Sequence, residues 1–270
     1  MNGFPWAAFA LNIGASAASV LIVVLAAFAV GVRTGRHRGV DVAWGVGFAA
    51  VAATTYGLSA GEGDGARRVL VLLLTAVWGL RLALHIAWRS RGHGEDPRYD
   101  RLLAKAPGNR VLYALRMVYL LQGALILLVS LPVQIASFAP AGLSPITIAG
   151  AVVWAVGLCF EAVGDHQLAR FKADPAHRGK IMDRGLWSWT RHPNYFGDFC
   201  VWWGLFLLAC EAGPWPAVIA LASPLTMSFL LLNGSGKPLL ERHMADRPGY
   251  AAYAARTSGF FPRPPRRPRD

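Results

Sequence analysis

The chain alternates long apolar runs with short basic connections. Runs near the ~20 residues needed to cross a hydrocarbon core occur at roughly Phe9–Val32, Val42–Ala60, Val69–Trp88, Val111–Leu131, Ile146–Gly164, Tyr195–Cys210 and Trp215–Leu232. The pattern predicts an all-α, polytopic membrane bundle of about seven transmembrane helices, because a helix satisfies its own backbone in lipid. The first run is too long and uninterrupted for a signal peptide, and no basic segment precedes it. The last two runs flank Glu211-Ala-Gly-Pro-Trp-Pro216, a turn suited to a helical hairpin.

The basic residues predict the orientation. All 27 Lys and Arg except Arg67, Arg68 and Arg81 fall in, or at the edge of, the connections after runs one, three and five or in the C-terminal tail. The positive-inside rule then puts the N-terminus outside and the tail in the cytoplasm, as expected in a cell (inner) membrane. Composition agrees: 54% hydrophobic and 16% charged residues, with a mean hydropathy of +0.38, exclude disorder and a water-soluble globule. Orientation also accounts for the net charge of +12, so no nucleic-acid partner is expected. The three cysteines lack CxxC spacing, which argues against a disulfide framework or a zinc site, and no metal is expected. We read residues 1–270 as one integral membrane domain. Its N-terminal helices (1–140) form a lipid-substrate side, 141–260 a cofactor-binding half, and 261–270 a disordered basic tail drawn to anionic lipid.

Three motif matches fail on context. Gly45-Val-Gly47-Phe-Ala-Ala50 fits a dinucleotide fingerprint and Gly57-Leu-Ser59-Ala-Gly61 a hydrolase elbow, but no strand precedes either. Asn233-Gly-Ser235 has a glycosylation pattern on the predicted cytoplasmic side.

Ionisable groups inside a membrane are functional candidates by default. Arg81 and His85 share one face of the third run with Trp78 and Trp88, and Asp41 opens the second run just before Trp44. Glu161, Asp165 and Lys172 form a polar stripe at the end of the fifth run. The bland alternatives are an Arg81–Asp41 ion pair between helices, and Glu161 and Asp165 simply facing water. The densest segment is Gly185-Leu-Trp-Ser-Trp-Thr-Arg-His-Pro-Asn-Tyr-Phe-Gly-Asp198. Pro193 suits a first helical turn with His192 as the cap. The open N–H groups there, flanked by Arg191 and Arg184, suit a phosphate or carboxylate. An aromatic interfacial belt is the alternative.

This segment resembles the RHPNYxGE signature of the steroid 5-alpha-reductase C-terminal superfamily, and more closely the bacterial DUF1295 branch. Gly164–Lys180 resembles that branch's DxQLxxFKxxPxNRGK block, and Pro238–Glu241 with Arg247–Tyr253 resembles its closing PLLE…RPGYxxY block. Asp41–Gly45, Trp78–Arg81 and Gly94–Tyr99 match the N-terminal half. The resemblance implies a seven-helix membrane reductase whose C-terminal half holds NADPH from the cytosolic side and which passes a hydride to an electron-poor C=C bond of a sterol-like lipid. It implies cofactor contacts at Asp165, Lys172, Arg191, His192, Asn194, Tyr195, Asp198, Glu241, Tyr250 and Tyr253. Asp198 replaces the usual Glu, and His177 stands where Asn is common.

Reduction of an enone requires an acid near the carbonyl oxygen, a dry pocket and a rigidly held cofactor. Asp41, Arg81 and His85 are the candidate acid group, with Trp44 and Trp78 as substrate-pocket walls. The competing enzyme reading is methyl transfer from S-adenosylmethionine, since isoprenylcysteine and phospholipid methyltransferases carry a similar helix start. A phosphorylated dinucleotide would use Lys172, Arg178, Lys180 and Arg184 as partners, and this basic loop favours NADPH. A transporter or structural membrane protein is the third reading; no inverted repeat or matched pair of interrupted helices supports it.

Overall fold

A computed structural model describes residues 3–264 apart from residue 235. The outer part of the predicted basic tail, 265–270, and the end of the Asn233–Ser235 pattern lie outside the described residues. The fold is all-α, and the one extended pairing among the described residues is a bridge between Thr190 and Ser258. The long helices are α1 (Trp6–Thr34), α2 (Gly39–Leu58), α3 (Gly65–Ser90), α5 (Arg110–Ser137), α6 (Pro145–Ala173), α7 (Pro193–Ala209) and α8 (Pro214–Leu232). Among the shorter helices are α4 (Pro97–Leu103), α9 (Lys237–Met244) and α10 (Tyr250–Arg256).

Each predicted span is a helix, and six helices among the described residues are long and apolar enough to cross a membrane. The exception is α2, whose 20 residues include Gly39, Gly45, Gly47, Thr54 and Thr55. Those small residues suit it to close packing. Elsewhere large apolar side chains stand exposed along the helices, such as Leu11, Ile22 and Leu84, as expected where lipid rather than water is the solvent. The fifth predicted run continues as helix to Ala173, well past Gly164.

The chain forms two compact units, one from Met1–Ile146 and Leu208–Ser223, the other from Thr147–Leu207 and Pro224–Asp270. Within the first, α2 and α3 approach so closely that a Cβ on Gly45 would meet the Gly79 carbonyl oxygen at 2.2 Å. The glycine of the fingerprint-like match is therefore a packing residue. Ser59 of the elbow-like match follows α2 and accepts a hydrogen bond from Arg68 Nε at 2.8 Å.

Asp64 caps α3 by accepting the Arg67 N–H at 2.9 Å, and Asn109 caps α5 by accepting the Val111 N–H at 2.9 Å. Both relieve the unpaired donors of a first helical turn. Residues Leu115–Leu120 of α5 wind as a π segment. Arg67 is fully buried and donates to the carbonyls of Ala141 (2.7 Å), Gly142 (2.6 Å) and Leu208 (2.8 Å), and to Glu211. One guanidinium thus ties the start of α3 to the loop before α6 and to the end of α7.

The second unit is built on α6 and α7. A Cβ on Gly157 would meet the Gly197 carbonyl oxygen at 2.5 Å, and one on Gly204 the Gly150 carbonyl oxygen at 2.6 Å. The pairs run in opposite directions, so the helices are antiparallel, and the seven-residue spacing keeps the bare positions on one face of each.

Candidate functional site

The Arg-His-Pro-Asn-Tyr segment sits at the entry to α7. Gly185 has φ +58, and a Cβ there would lie 2.4 Å from Gln167 Nε2. Gln167 Oε1 in turn accepts the Leu186 N–H at 3.0 Å, and Trp187 Nε1 donates to the Gly164 carbonyl at 3.0 Å. The C-terminal residues clamp the other side. Thr190 Oγ1 donates to Phe260 O at 2.7 Å, and the backbone N–H groups of Arg191 and Arg263 reach Ser258 O (2.9 Å) and Trp189 O (3.0 Å). The helix then starts at Pro193 as expected, with the Phe196 N–H bonded to His192 O at 3.0 Å.

At this entry the predicted residues form a knot. Glu241 Oε1 accepts from Arg191 Nε (2.9 Å), Arg191 Nη2 (2.8 Å) and His192 Nε2 (3.2 Å). Arg191 Nη1 donates to the carbonyls of Ala254 and Thr257, both at 3.0 Å. A guanidinium has five N–H donors, and these contacts engage four of them. Arg191 therefore ties α7, α9 and α10 together in this arrangement. A Cβ on Gly259 would lie 3.1 Å from both Arg191 Nη2 and Lys237 Nζ, so the bare backbone there admits two cations.

His192 is buried and lies parallel to the Tyr195 ring. Burial pushes its pKa down to about 4, with Arg191 and Lys237 acting in the same direction and Glu241 opposing them. It is neutral at pH 7, with Nε2–H donating to Glu241. Asn194 Nδ2 donates to Asp165 Oδ1 at 3.4 Å. Asp165 and Glu161 are only 8% and 4% exposed, so the water-facing alternative for this pair is corrected. Gly197 of α7 packs directly on Glu161. The Tyr253 hydroxyl donates to Trp187 O at 2.6 Å, and Asp198 accepts Trp202 Nε1 at 3.0 Å within α7. Lys172, Arg178, Lys180 and Arg184 are exposed.

In the first unit, Asp41 receives the Tyr99 hydroxyl at 2.5 Å and Arg98 Nη2 at 2.8 Å. The Asp41 ion pair is thus made with Arg98, which corrects the expected alternative with Arg81. Burial, together with the Asp41 carboxylate, raises the Tyr99 pKa and keeps the phenol protonated. Gln122 Nε2 lies 3.4 Å from the same hydroxyl. The neighbouring Glu95 accepts the Arg38 N–H at 3.0 Å and also the His37 N–H, fixing the chain before α2. The close approach of Gly45 to Gly79 and Ala83 makes α2 and α3 antiparallel, which puts Asp41 and His85 at the same end of the pair. Trp78 is fully buried against Phe48, and Trp44 also packs on Phe48. His85 lies beside Trp88, which is exposed.

Tyr99, Arg98 and Lys237 were not among the sequence candidates. Tyr99 and Arg98 were quoted in the Gly94–Tyr99 segment, but only the folded chain brings them to Asp41.

These features define a polytopic, all-α membrane protein with two polar clusters at helix entries. The chain belongs to the DUF1295 family, described as proteins of unknown function, which matches residues 27–257. A probable O-methyltransferase, ustE, of Ustilaginoidea virens is 39% identical over 59 residues, covering 22% of this chain and 20% of that protein. No solved structure matches the chain.

Proposed function

We propose that this protein is a membrane-embedded, NADPH-dependent reductase of an activated C=C bond in a steroid-like or isoprenoid lipid. We place it in the cell (inner) membrane, with the N-terminus outside and the α7 entry on the cytoplasmic side. The observation that carries the reading is the Arg191–His192–Glu241 knot at the start of α7, with exposed Arg178, Lys180 and Arg184 in the chain leading to it.

The residues fit a pyrophosphate-bearing coenzyme in a divided way. Arg191 is spent on Glu241 and two carbonyls, so it shapes the α7 entry. Arg178, Lys180 and Arg184 form no ion pair among the described residues and are the phosphate partners. Asn194 and Asp165 supply amide and carboxylate groups suited to hydroxyls. When bound, NADPH supplies the hydride. Neutral His192 adds no charge to the entry and keeps Glu241 oriented. Asp41 accepts a hydrogen bond from the Tyr99 hydroxyl and pairs with Arg98, so it acts as a carboxylate that positions these donors, and Arg81 and His85 are the proposed groups that orient the acceptor carbonyl and stabilise negative charge on its oxygen. Asp41→Asn and His85→Ala with full turnover and intact nucleotide binding would refute that last assignment.

The 39% identical stretch named as a probable O-methyltransferase favours a second reading, methyl transfer from S-adenosylmethionine. Charge separates the two: S-adenosylmethionine carries one carboxylate and a sulfonium and needs few of these cations. Thermal unfolding of the detergent-purified protein decides between them. A ligand at 100 times its Kd stabilises by about 2.7 kcal/mol. NADPH is expected to raise the melting temperature and S-adenosylmethionine to leave it unchanged; the reverse pattern would establish the methyltransferase reading.

A further inference from the structure

Most of the α1 surface is apolar and exposed, at Leu11, Leu21, Ile22 and Leu25 among others. Its buried stripe is narrow: Phe9, Asn12, Ser16, Val20, Val24 and Gly31. Helices in lipid associate through packing and hydrogen bonds, without a hydrophobic drive between them, so the polar members of this stripe matter. Asn12 and Ser16 are both 0% exposed. Asn12 Nδ2 donates to Gln134 Oε1 of α5 at 3.0 Å, Gln134 Nε2 donates to Ser130 Oγ at 3.0 Å, and Ser130 Oγ donates to Leu127 O at 3.0 Å. Every donor in this chain points from α1 into α5. Its head, Asn12 Oδ1, is buried with no hydrogen-bond partner among the described residues, and so is Ser16 Oγ.

The two orphan atoms belong to one place. Asn12 pairs with Gln134, and Gly31 lies against Tyr119, so α1 and α5 are antiparallel. Four residues forward from Asn12 is Ser16, and four residues back from Gln134 is Ser130; each pair shares a helix face. Ser16 therefore stands level with Ser130. It lies ten residues into α1, about 15 Å from the helix start, where lipid offers no hydrogen bond and an unpaired polar atom is costly. Asn12 Oδ1 needs a donor, Ser16 Oγ can give and accept, and Ser130 Oγ, which accepts one bond and donates one, keeps a lone pair. An occupant must be small, since the residues are closed to solvent, and must both donate and accept. The four side chains are neutral and supply no charge to hold an ion. Water meets these demands, and buried waters typically make about three hydrogen bonds.

We propose that a water molecule is bound between α1 and α5, donating to Asn12 Oδ1 and Ser130 Oγ and accepting from the Ser16 hydroxyl. It completes the polar contact that holds α1 to the first unit. The site is separate from the α7 entry and stands whether or not the protein is a reductase.

Thermal unfolding of the full-length protein in phosphatidylcholine nanodiscs gives opposite signs for a wet and a dry site. Were the Ser16 hydroxyl unpaired, Ser16→Ala would remove a buried burden and leave the melting temperature unchanged or raised. Bound to water, the hydroxyl is a lost contact, and the melting temperature should fall by about 2–4 °C. Ser16→Ala and Ser130→Ala should together lose less than the sum of their separate losses, because one water couples two hydroxyls that are not bonded to each other. An unchanged or higher melting temperature in Ser16→Ala, or losses that simply add, would overturn the proposal. If Ser16→Ala does not fold, X-ray radiolysis of wild type in oxygen-labelled water carries the test. Labelled oxygen within residues 12–20 is the expected result, and label found in the connecting loops but absent from that stretch would overturn the site. A sodium ion is the other small occupant of an oxygen-lined site. A wild-type melting temperature higher in sodium chloride than in equimolar potassium chloride, with the difference abolished in Ser16→Ala, would assign the site to the ion and end the water assignment.

Discussion

Replacing Glu241 with Ala tests the knot at the α7 entry. One carboxylate oxygen accepts three hydrogen bonds there, two from Arg191 at 2.8 and 2.9 Å and one from His192 at 3.2 Å. Hydrogen bonds to charged groups contribute about 1.5–3 kcal/mol each and do not add independently. The Glu241 side chain is 24% exposed, so water replaces part of what is lost, but His192 Nε2–H is left buried without an acceptor. A loss of about 3 kcal/mol follows, toward the lower end of the range for breaking a buried charge pair. At about 2–4 °C per kcal/mol for a chain of this size class, the melting temperature should fall by roughly 6–12 °C. Glu241→Gln, which keeps the shape and one acceptor but not the charge, should lose about half as much. Thermal unfolding in detergent measures both. A Glu241→Ala protein melting within about 1 °C of wild type, or a Glu241→Ala/Arg191→Ala pair whose losses simply add, would refute the reasoning.

Gly197→Val should destabilise by about 2 kcal/mol or more through overpacking, since even a Cβ would meet Gly157 O at 2.5 Å and Glu161 N at 2.7 Å. Gly14→Ala, with nothing within 4 Å of the added carbon, is the tolerated control in the same melting assay. Arg67→Ala should cost about 3–5 kcal/mol by leaving Glu211 and three carbonyls without their buried cation; wild-type melting would exclude the staple. His192 makes stability pH-dependent. Its folded pKa of about 4 lies below the ordinary value of 6.5, so between those values the unfolded chain binds a proton that the folded chain refuses. Stability therefore falls as pH drops from about 6.5 to about 4, by at most about 3.4 kcal/mol. His192→Gln should flatten the melting temperature over that window relative to wild type, and an unchanged slope would contradict the assignment.

The helices were legible because a membrane span announces itself by length and apolarity, and Pro145, Pro193 and Pro214 mark helix starts as proline chemistry requires. The α7 entry was legible in its residue types. Its division of labour was not. Nothing in the order Arg-His-Pro shows that Arg191 spends its donors inside the protein, because Glu241 and the Ala254 and Thr257 carbonyls lie 50 or more residues away. Asp41 was singled out as an intramembrane charge, but its partners Arg98 and Tyr99 come from the short helix α4, 57 and 58 residues on. Gly150, Gly157 and Gly164 could be read as a seven-residue repeat, yet their meaning depends on the partner helix offering Gly197 and Gly204 in opposite order. Local patterns set the elements, whereas long-range hydrogen bonds decide which charges remain available to a ligand.

The most direct test of a coenzyme cradle at the α7 entry is photolabelling of the full-length protein with an 8-azidoadenine derivative of NADP+, followed by peptide mapping. Labelling within 164–198 or 237–256 that unlabelled NADPH suppresses and S-adenosylmethionine does not is the predicted result. Labelling confined to other segments, or label suppressed by S-adenosylmethionine and not by NADPH, would contradict the account.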